Sequence, residues 1–523
     1  MLLTVIVFLP MFAGALLLAL PERVGGFSLS KWGAAAVSLV AFLLSLWLYF
    51  GLLGGSAVNY GTVMDPQWYV NIPWIDTSIG SFRFHVQYAL GTDGLSMPMI
   101  ILNALLTFLA VIGSWHIEKR VKLYMALLLI LETGVAGVFA SFDLFLFFLF
   151  WEVELIPMFL LIGIWGGARR EYAAWKFLIY TLVGSVFTLA GIFLIYFREG
   201  GQNATFQHFA AAANSLSGTI PFLGTAISIP LLVFLLLFAA FAVKMPMWPF
   251  HTWLPDAHTE APTAVSVLLA GVLLKMGAYG LIRICLGFVP GGANEFAPIL
   301  GILAAINVLW GAGASMIQQD MKKMIAYSSV SHMGYVLLGV AAASATGAVS
   351  LNFRQAALTG ATLQMFTHGT ITGMLFFSVG VIYEKAHTRD IDIFGGIGKI
   401  MPTLLLLFSV ACFASLGLPG LSGFVAEYLV FTGSFATLPA ATIFSAFGVV
   451  LTAGYLLWMI RRAFHGPLNM KWAWLTDATV LEAFPLVSLA LVILFVGIYP
   501  QPMVNLLTPA LSQIIHSMSA TLR

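Results

Sequence analysis

Seven ionisable side chains stand in stretches that offer them little solvation: Glu132, Glu152, Lys244, Lys275, His332, His368 and Glu427. Five of them fall near the centres of apolar segments, while Lys244 and Glu427 lie beside helix breakers. A charge at bilayer depth costs roughly 2.5–3.5 kcal/mol on insertion scales, and packing alone rarely requires it. The chemistry such groups offer is proton transfer. Burial lowers the proton affinity of a lysine and raises that of a glutamate, and an opposite charge reverses both shifts. A Glu–Lys pair therefore changes protonation when its members separate, and histidine titrates near neutrality. Acids, bases and imidazoles at one depth make a relay along the membrane plane. Glu152 and Lys244, an acid and a base at similar depth, are expected to form a coupled pair. Residue type alone sets the direction, with proton uptake near Lys244 and release near Glu427.

Several of these residues also have a plainer reading. Glu154 is two positions from Glu152, so on a helix the two face opposite sides and at most one need face the core. Glu132 serves equally well as a structural partner for a neighbouring helix, and is a further candidate for the proton path. His332 and His368, taken singly, read as satisfied core histidines; their company of intramembrane charges favours the relay. Asp143, at a segment start, reads as a helix N-cap. His251, Asp256, His258 and Glu260 cluster in one loop, but their spacing matches no metal-ligand pattern, and no metal site is expected. Cys285 and Cys412 lie in separate apolar segments and read as packed small hydrophobes. The sequence has no Gly-rich phosphate loop, no CxxC, no haem-ligand pattern and no basic nucleic-acid patch.

The elements that must hold these groups follow from composition. Of 523 residues, 60% are hydrophobic and 8% charged, against about 25% charged in a soluble domain. A spanning helix needs about 20 apolar residues. Fourteen apolar segments are marked, near 2–20, 31–53, 90–113, 122–139, 142–164, 173–197, 227–249, 261–286, 297–316, 323–342, 356–382, 402–433, 436–460 and 483–505. The expectation is an all-α polytopic protein of about fourteen transmembrane helices in a single transmembrane domain, 1–523. The first segment has no basic n-region and no cleavage pattern, so it reads as a retained helix.

Two segments are interrupted. Pro246 and Pro249 follow Lys244, and proline removes a backbone donor and clashes with the preceding turn, so the seventh helix should end just after Lys244. Leu418-Pro419-Gly420-Leu421-Ser422-Gly423 precedes Glu427 in the twelfth. Paired interrupted segments are the best sequence pointer to a transporter built from inverted repeats. The same offset carries Glu152 to near His332, but carries Lys275 to near Trp458, so that position is not duplicated. With the N-terminus outside, one side's loops collect most of the Lys and Arg, while the other holds only Arg83, Arg198, Arg283, Arg354 and Arg523. The positive-inside rule then puts both termini on the periplasmic side.

Several ordered motifs carry a family resemblance. Phe241-Ala242-Val243-Lys244-Met245-Pro246, Trp253-Leu254-Pro255-Asp256-Ala257-His258, Glu260-Ala261-Pro262-Thr263 and Leu269-Ala270-Gly271-Val272-Leu273-Leu274-Lys275 resemble subunit M of bacterial proton-pumping NADH:quinone oxidoreductase (respiratory complex I), the antiporter-like NADH dehydrogenase subunit 4 family. Phe150-Trp151-Glu152, Ile325-Ala326-Tyr327-Ser328-Ser329-Val330-Ser331-His332, His387-Thr388-Arg389-Asp390 and Phe424-Val425-Ala426-Glu427 are similar to it too. From Gly91 onward the likeness covers nearly the whole chain; before that it is one of hydropathy only.

The resemblance implies an antiporter-like fold with N-terminal helices 1–3 (1–113), two inverted five-helix repeats, 122–286 and 297–460, and a last helix and tail, 483–523. It implies a proton path through Glu152, Lys244, Lys275, His332, His368 and Glu427. It implies no cofactor in this chain, with NADH, FMN, iron–sulfur clusters and quinone in partner subunits. The implied partners are the antiporter-like subunits L and N, small membrane subunits and the lipid bilayer. The Glu260-Ala261-Pro262 spacing lacks the extra serine of cyanobacterial and chloroplast chains, which favours a bacterial inner (plasma) membrane. The alternative is a subunit of an Mrp-type cation/proton antiporter; there, as in subunits L and N, the twelfth-segment position is usually lysine, and Glu427 speaks against it. A purely structural spacer leaves the buried charges unexplained.

Overall fold

The computed structural model describes residues 1–24, 26–53, 59–79, 82–198, 200–201, 203–212, 216–222, 225–347 and 349–521; Arg523, counted above among the outside charges, lies beyond them. Twelve helices among the described residues are long and apolar enough to cross a membrane. The shorter apolar helices Ile229–Lys244 and Pro402–Ser415 fall in the seventh and twelfth expected segments. Burial sorts the helices into core and rim. The windows of Thr263–Leu286 and Leu351–Ala386 are 100% buried and that of Met321–Ser344 94%, against 33% for Leu2–Ala19 and Val480–Ile498. The rim helices turn apolar side chains outward, as lipid contact demands. The enclosed helices are those that carry Lys275, His332 and His368.

Breaks sit where the backbone loses a donor. The helix Ile229–Lys244, N-capped by Ser228, stops at the lysine. Its last carbonyls are taken over by Met245 N–H to Phe241 O (2.8 Å), Met247 N–H to Ala242 O (2.9 Å) and the Trp253 indole to Val243 O (2.9 Å). The twelfth segment divides into Pro402–Ser415 and Ser422–Phe435, with Leu418-Pro419-Gly420 between. A third break is unexpected. The fifth span consists of Leu144–Val153 and Leu155–Trp165, joined at Glu154. Pro157 has no N–H for the Val153 carbonyl, which accounts for it. Asp143 caps this span, accepting from Phe145 N (2.9 Å) and Leu146 N (3.1 Å).

The eighth span departs from the α-helical ladder twice, with π-helical turns at Leu269–Leu273 and Leu281–Leu286 on either side of Leu274–Gly280. Such turns are frequent at functional sites. Among the described residues three antiparallel hairpins join the helices: Arg23–Val24 with Phe27–Ser28, Gln67–Ile79 with Phe82–Thr92, and Thr219–Phe222 with Thr225–Ser228. The second carries a register shift at Pro73/Ile75, where proline cannot donate to the ladder. The third helix accordingly begins at Ser96 rather than near 90. The last span ends at Ile498, not 505, and a further helix, Gln501–Thr521, follows. Arg283, counted above as a loop charge, is fully buried in the eighth span and ion-paired to Asp93 at 2.6 Å. Arg354, likewise counted outside, is buried at the start of the eleventh span and donates to Ala343 O.

Candidate functional site

The fifth and seventh spans bring Lys244 to Glu154, and these two form a fully buried ion pair. The expected partner, Glu152, is half-buried and makes no ion pair with Lys244. The two acids face different sides of the span, whose backbone stays right-handed helical at Glu154, and the side turned to Lys244 carries Glu154. Lys244 also lies over the rings of Trp151 (5.5 Å) and Phe177 (5.4 Å), a favourable setting for a cation. Trp151 is held in turn by Ser185 at 3.2 Å.

The seventh span meets the eighth at its broken end. A Cβ on Gly277 would lie 2.7 Å from Met245 N and 2.9 Å from Phe241 O, so only glycine permits this approach. Lys275 is two residues away. Its ammonium donates to Ala270 O, a carbonyl in the π-helical turn, and meets His368 Nδ1 at 2.7 Å.

From His368 the polar line continues. Its ring centroid is 5.6 Å from that of His332. His332 Nε2 meets Ser415 Oγ at 3.1 Å, and its Nδ1 lies 3.4 Å from both Gln364 Nε2 and Glu427 Oε1. Glu427 stands in the half-helix Ser422–Phe435, opposite the Ser415 end of its companion. Lys275, His368, His332 and Glu427 thus form a row of buried titratable groups through the eighth, eleventh, tenth and twelfth spans, in contact at its two ends and with the two imidazole rings as neighbours between them. Each imidazole presents two nitrogens, one able to accept while the other donates, which is what hand-to-hand transfer of protons requires.

Glu132 stays apart from this row. It is buried, Asn103 donates to its backbone carbonyl (3.0 Å), and its Oε2 meets no donor among the described residues. The expected loop is in part a short helix, Trp253–Glu260, that carries Asp256, His258 and Glu260, and these three and His251 go to separate partners. His251 accepts from the Trp310 indole (3.2 Å), Asp256 pairs with Lys176 (2.6 Å), His258 stacks on Phe376 (4.6 Å) and Glu260 accepts from Arg169 N (2.9 Å). Among the described residues no group of three or more ligating side chains gathers. Asp143, outside the span it caps, is pushed up to about 6 by burial, against the N–H groups of Gln87, Leu146 and Phe145, which hold it down.

Sequence reasoning missed Glu154 as the lysine's partner, Gln364 and Ser415 as the holders of His332, and the Asp93–Arg283 pair. Gln364, one turn before His368, was a weak signal for the second.

The family model described as NADH:quinone oxidoreductase/Mrp antiporter, TM matches residues 141–452. The chain is 41% identical to NADH-quinone oxidoreductase subunit M of Rhodobacter capsulatus, over 100% of this chain and 98% of that protein. It is 40% identical to NAD(P)H-quinone oxidoreductase chain 4 of Gloeobacter violaceus, over 98% and 92%. In three dimensions it is similar to a chain of respiratory complex I from Thermus thermophilus with bound NADH, with a TM-score of 0.83, 27% identity and 100% of both chains covered. It shares its fold with a chain of the Mrp complex from Dietzia sp., with a TM-score of 0.80, 20% identity and 99% of both chains covered.

Proposed function

The chain belongs to the NADH-quinone oxidoreductase subunit M family, and on that premise we propose that it moves protons through its buried Glu, Lys and His residues as a membrane-arm subunit of respiratory complex I. The observation that carries the proposal is the row Lys275, His368, His332, Glu427, with contacts of 2.7 Å at one end and 3.4 Å at the other. A proton leaves the Lys275 ammonium for His368 Nδ1, and His368 releases one from Nε2. That nitrogen has no partner among the described residues, so a bridging water suits it. His332 passes the proton on to the Glu427 carboxylate. Lys244 and its acid partner feed the row from the seventh span, and Glu152 takes part on that side.

The chain is a multi-pass membrane protein and part of an oxidoreductase complex. In our reading NADH, FMN, iron–sulfur clusters and quinone stay in partner subunits, and the neighbours are subunits L and N with small membrane subunits. The membrane is the bacterial inner membrane, with both termini periplasmic. The two interrupted segments bring the crossings to fourteen, and 122–286 and 297–460 are the inverted repeats. An Mrp-type antiporter shares the fold, and Glu427 in place of lysine favours complex I. Isolating the tagged chain from native membranes tests the reading. Co-purification of an NADH-oxidising, quinone-reducing assembly is expected. Recovery with a cation/proton antiporter instead, and sodium-sensitive growth on its loss, would overturn it.

A further inference from the structure

We infer that the basic end of the thirteenth span is a binding site for an anionic phospholipid. Lys399, Arg461 and Lys471 hold the phosphate, and the acyl chain lies along the outer face of the span. The span is the helix Pro439–Ala463. Phe447, Val450, Leu457, Trp458 and Arg461 fall on one side of it by helical spacing, and all five are exposed. An apolar stripe thus ends in a cation. From Val450 to Arg461 the helix rises about 16 Å, at about 1.5 Å per residue. That is close to half of a hydrocarbon core about 30 Å thick. The stripe therefore covers one leaflet and ends where a headgroup phosphate lies.

Around that end the protein builds a fixed basic and aromatic platform. The guanidinium groups of Arg461 and Arg462 lie over the Trp458 ring, at 5.9 and 5.4 Å, and such a ring belongs at the headgroup level. Arg462 is neutralised by Asp392. The neighbouring Ile393 carbonyl accepts from Asn469 Nδ2 (3.0 Å) and from the Trp472 indole (2.9 Å). Gly398 N donates to Phe464 O (3.0 Å). These bonds bring Lys399 and Lys471 to the end of the span. Lys399, Arg461 and Lys471 are all exposed, and none has an ion-pair partner among the described residues. Three uncompensated cations call for an anion.

The apolar tips of the loop make that anion a lipid rather than a free phosphate. Met470 and Trp474 are 76% and 61% exposed. They flank the buried Trp472, whose ring is 6.3 Å from that of Trp474. Exposed apolar side chains beside a lysine suit the headgroup layer. A phosphate ion in water would leave them, and the stripe, uncovered.

The test places the intact purified complex in phosphatidylcholine vesicles. A trace of either phosphatidylglycerol or phosphatidylcholine carries a photoactivatable acyl chain, and labelled peptides are mapped by mass spectrometry. The stretch 447–474 is expected to take at least about fivefold more label from phosphatidylglycerol, the effect of about one basic group near a membrane surface. In the Lys399→Gln/Arg461→Gln/Lys471→Gln complex the preference should fall to about twofold or less, while Arg461→Lys keeps it. Equal labelling of the wild type by the two lipids overturns the inference, and so does a preference unmoved in the triple variant. No label from either lipid means that a partner subunit covers the patch, which overturns it too. The wild-type comparison decides even if the triple variant fails to assemble.

Discussion

Replacing Lys275 by methionine should separate stability from function. The ammonium is fully buried and has two partners, Ala270 O and His368 Nδ1. Methionine keeps an unbranched stem of similar length and removes the charge. Removing it relieves an insertion cost of roughly 2.5–3.5 kcal/mol. Against this, Ala270 O and His368 Nδ1 both lose a donor, at about 1–3 kcal/mol each. The opposing terms are of similar size, so the complex should assemble in usable amount. Function does not offset in this way. A positioned proton-transfer group contributes about 10²–10⁴-fold, and no other group in the eighth span is in contact with His368 Nδ1 to replace it. Proton uptake into inverted vesicles, followed with a pH-sensitive dye alongside NADH oxidation and normalised to assembled complex, should fall by about 10²-fold or more. A Lys275→Met complex that assembles and pumps at the wild-type rate would refute the reasoning, because an expensive buried lysine would then have no role.

Three further outcomes are expected. Arg283→Leu leaves Asp93 buried and unpaired, which costs about 3–5 kcal/mol, whereas the double variant with Asp93→Leu should recover most of it; heat denaturation of the purified complex reads both. Asp477 accepts from Thr403 N (2.9 Å) and Leu404 N (3.2 Å) at the start of Pro402–Ser415, so Asp477→Ala should cost about 1 kcal/mol. Burial pushes that carboxyl up, but the hydrogen bonds from Thr403, Ala478 and Leu404 outweigh it and hold it below the ordinary aspartate range. Its contribution is therefore present above the unfolded pKa and lost as pH falls through the folded one, and the gap between variant and wild type should close in acid. A C-terminal fusion to an enzyme active only outside the cytoplasm should be active, and activity confined to cytoplasmic reporters would reverse the orientation.

The residues that make the row were legible because a charge in an apolar segment is conspicuous whatever the fold. Lys275, His332, His368 and Glu427 all lie in it. The break after Lys244 was legible because proline acts through local covalent structure. What escaped depended on helix phase and tertiary contact. Helix spacing sets Glu152 and Glu154 on different faces, but which face meets Lys244 is decided by how the fifth and seventh spans pack. Arg283 looked like a loop charge because its neutralising partner, Asp93, is 190 residues away in sequence. The π-helical turns beside Lys275 have no sequence signature in a run such as Leu269–Leu273. The hairpin Gln67–Ile79 with Phe82–Thr92 lies largely between the second and third apolar segments, where hydropathy gives no sign of strands, although Trp68, Tyr69, Val70, Ile72 and Trp74 supply β-formers. The helix Gln501–Thr521 was hidden because hydropathy finds spans and not amphipathic helices. Its buried Leu506, Leu507, Leu511, Ile514, Ile515 and Met518 follow the helical period.

The central claim is that protons leave the row at Glu427, whose Oε1 lies 3.4 Å from His332 Nδ1. Glu427→Gln keeps the shape and hydrogen-bonding capacity but cannot ionise, and Glu427→Asp keeps the charge. The measurement is proton uptake by inverted vesicles containing each assembled complex, recorded together with NADH oxidation. Uptake should fall by about 10²-fold in Glu427→Gln, with NADH oxidation falling alongside, and remain substantial in Glu427→Asp. Full pumping by an assembled Glu427→Gln complex would contradict the account.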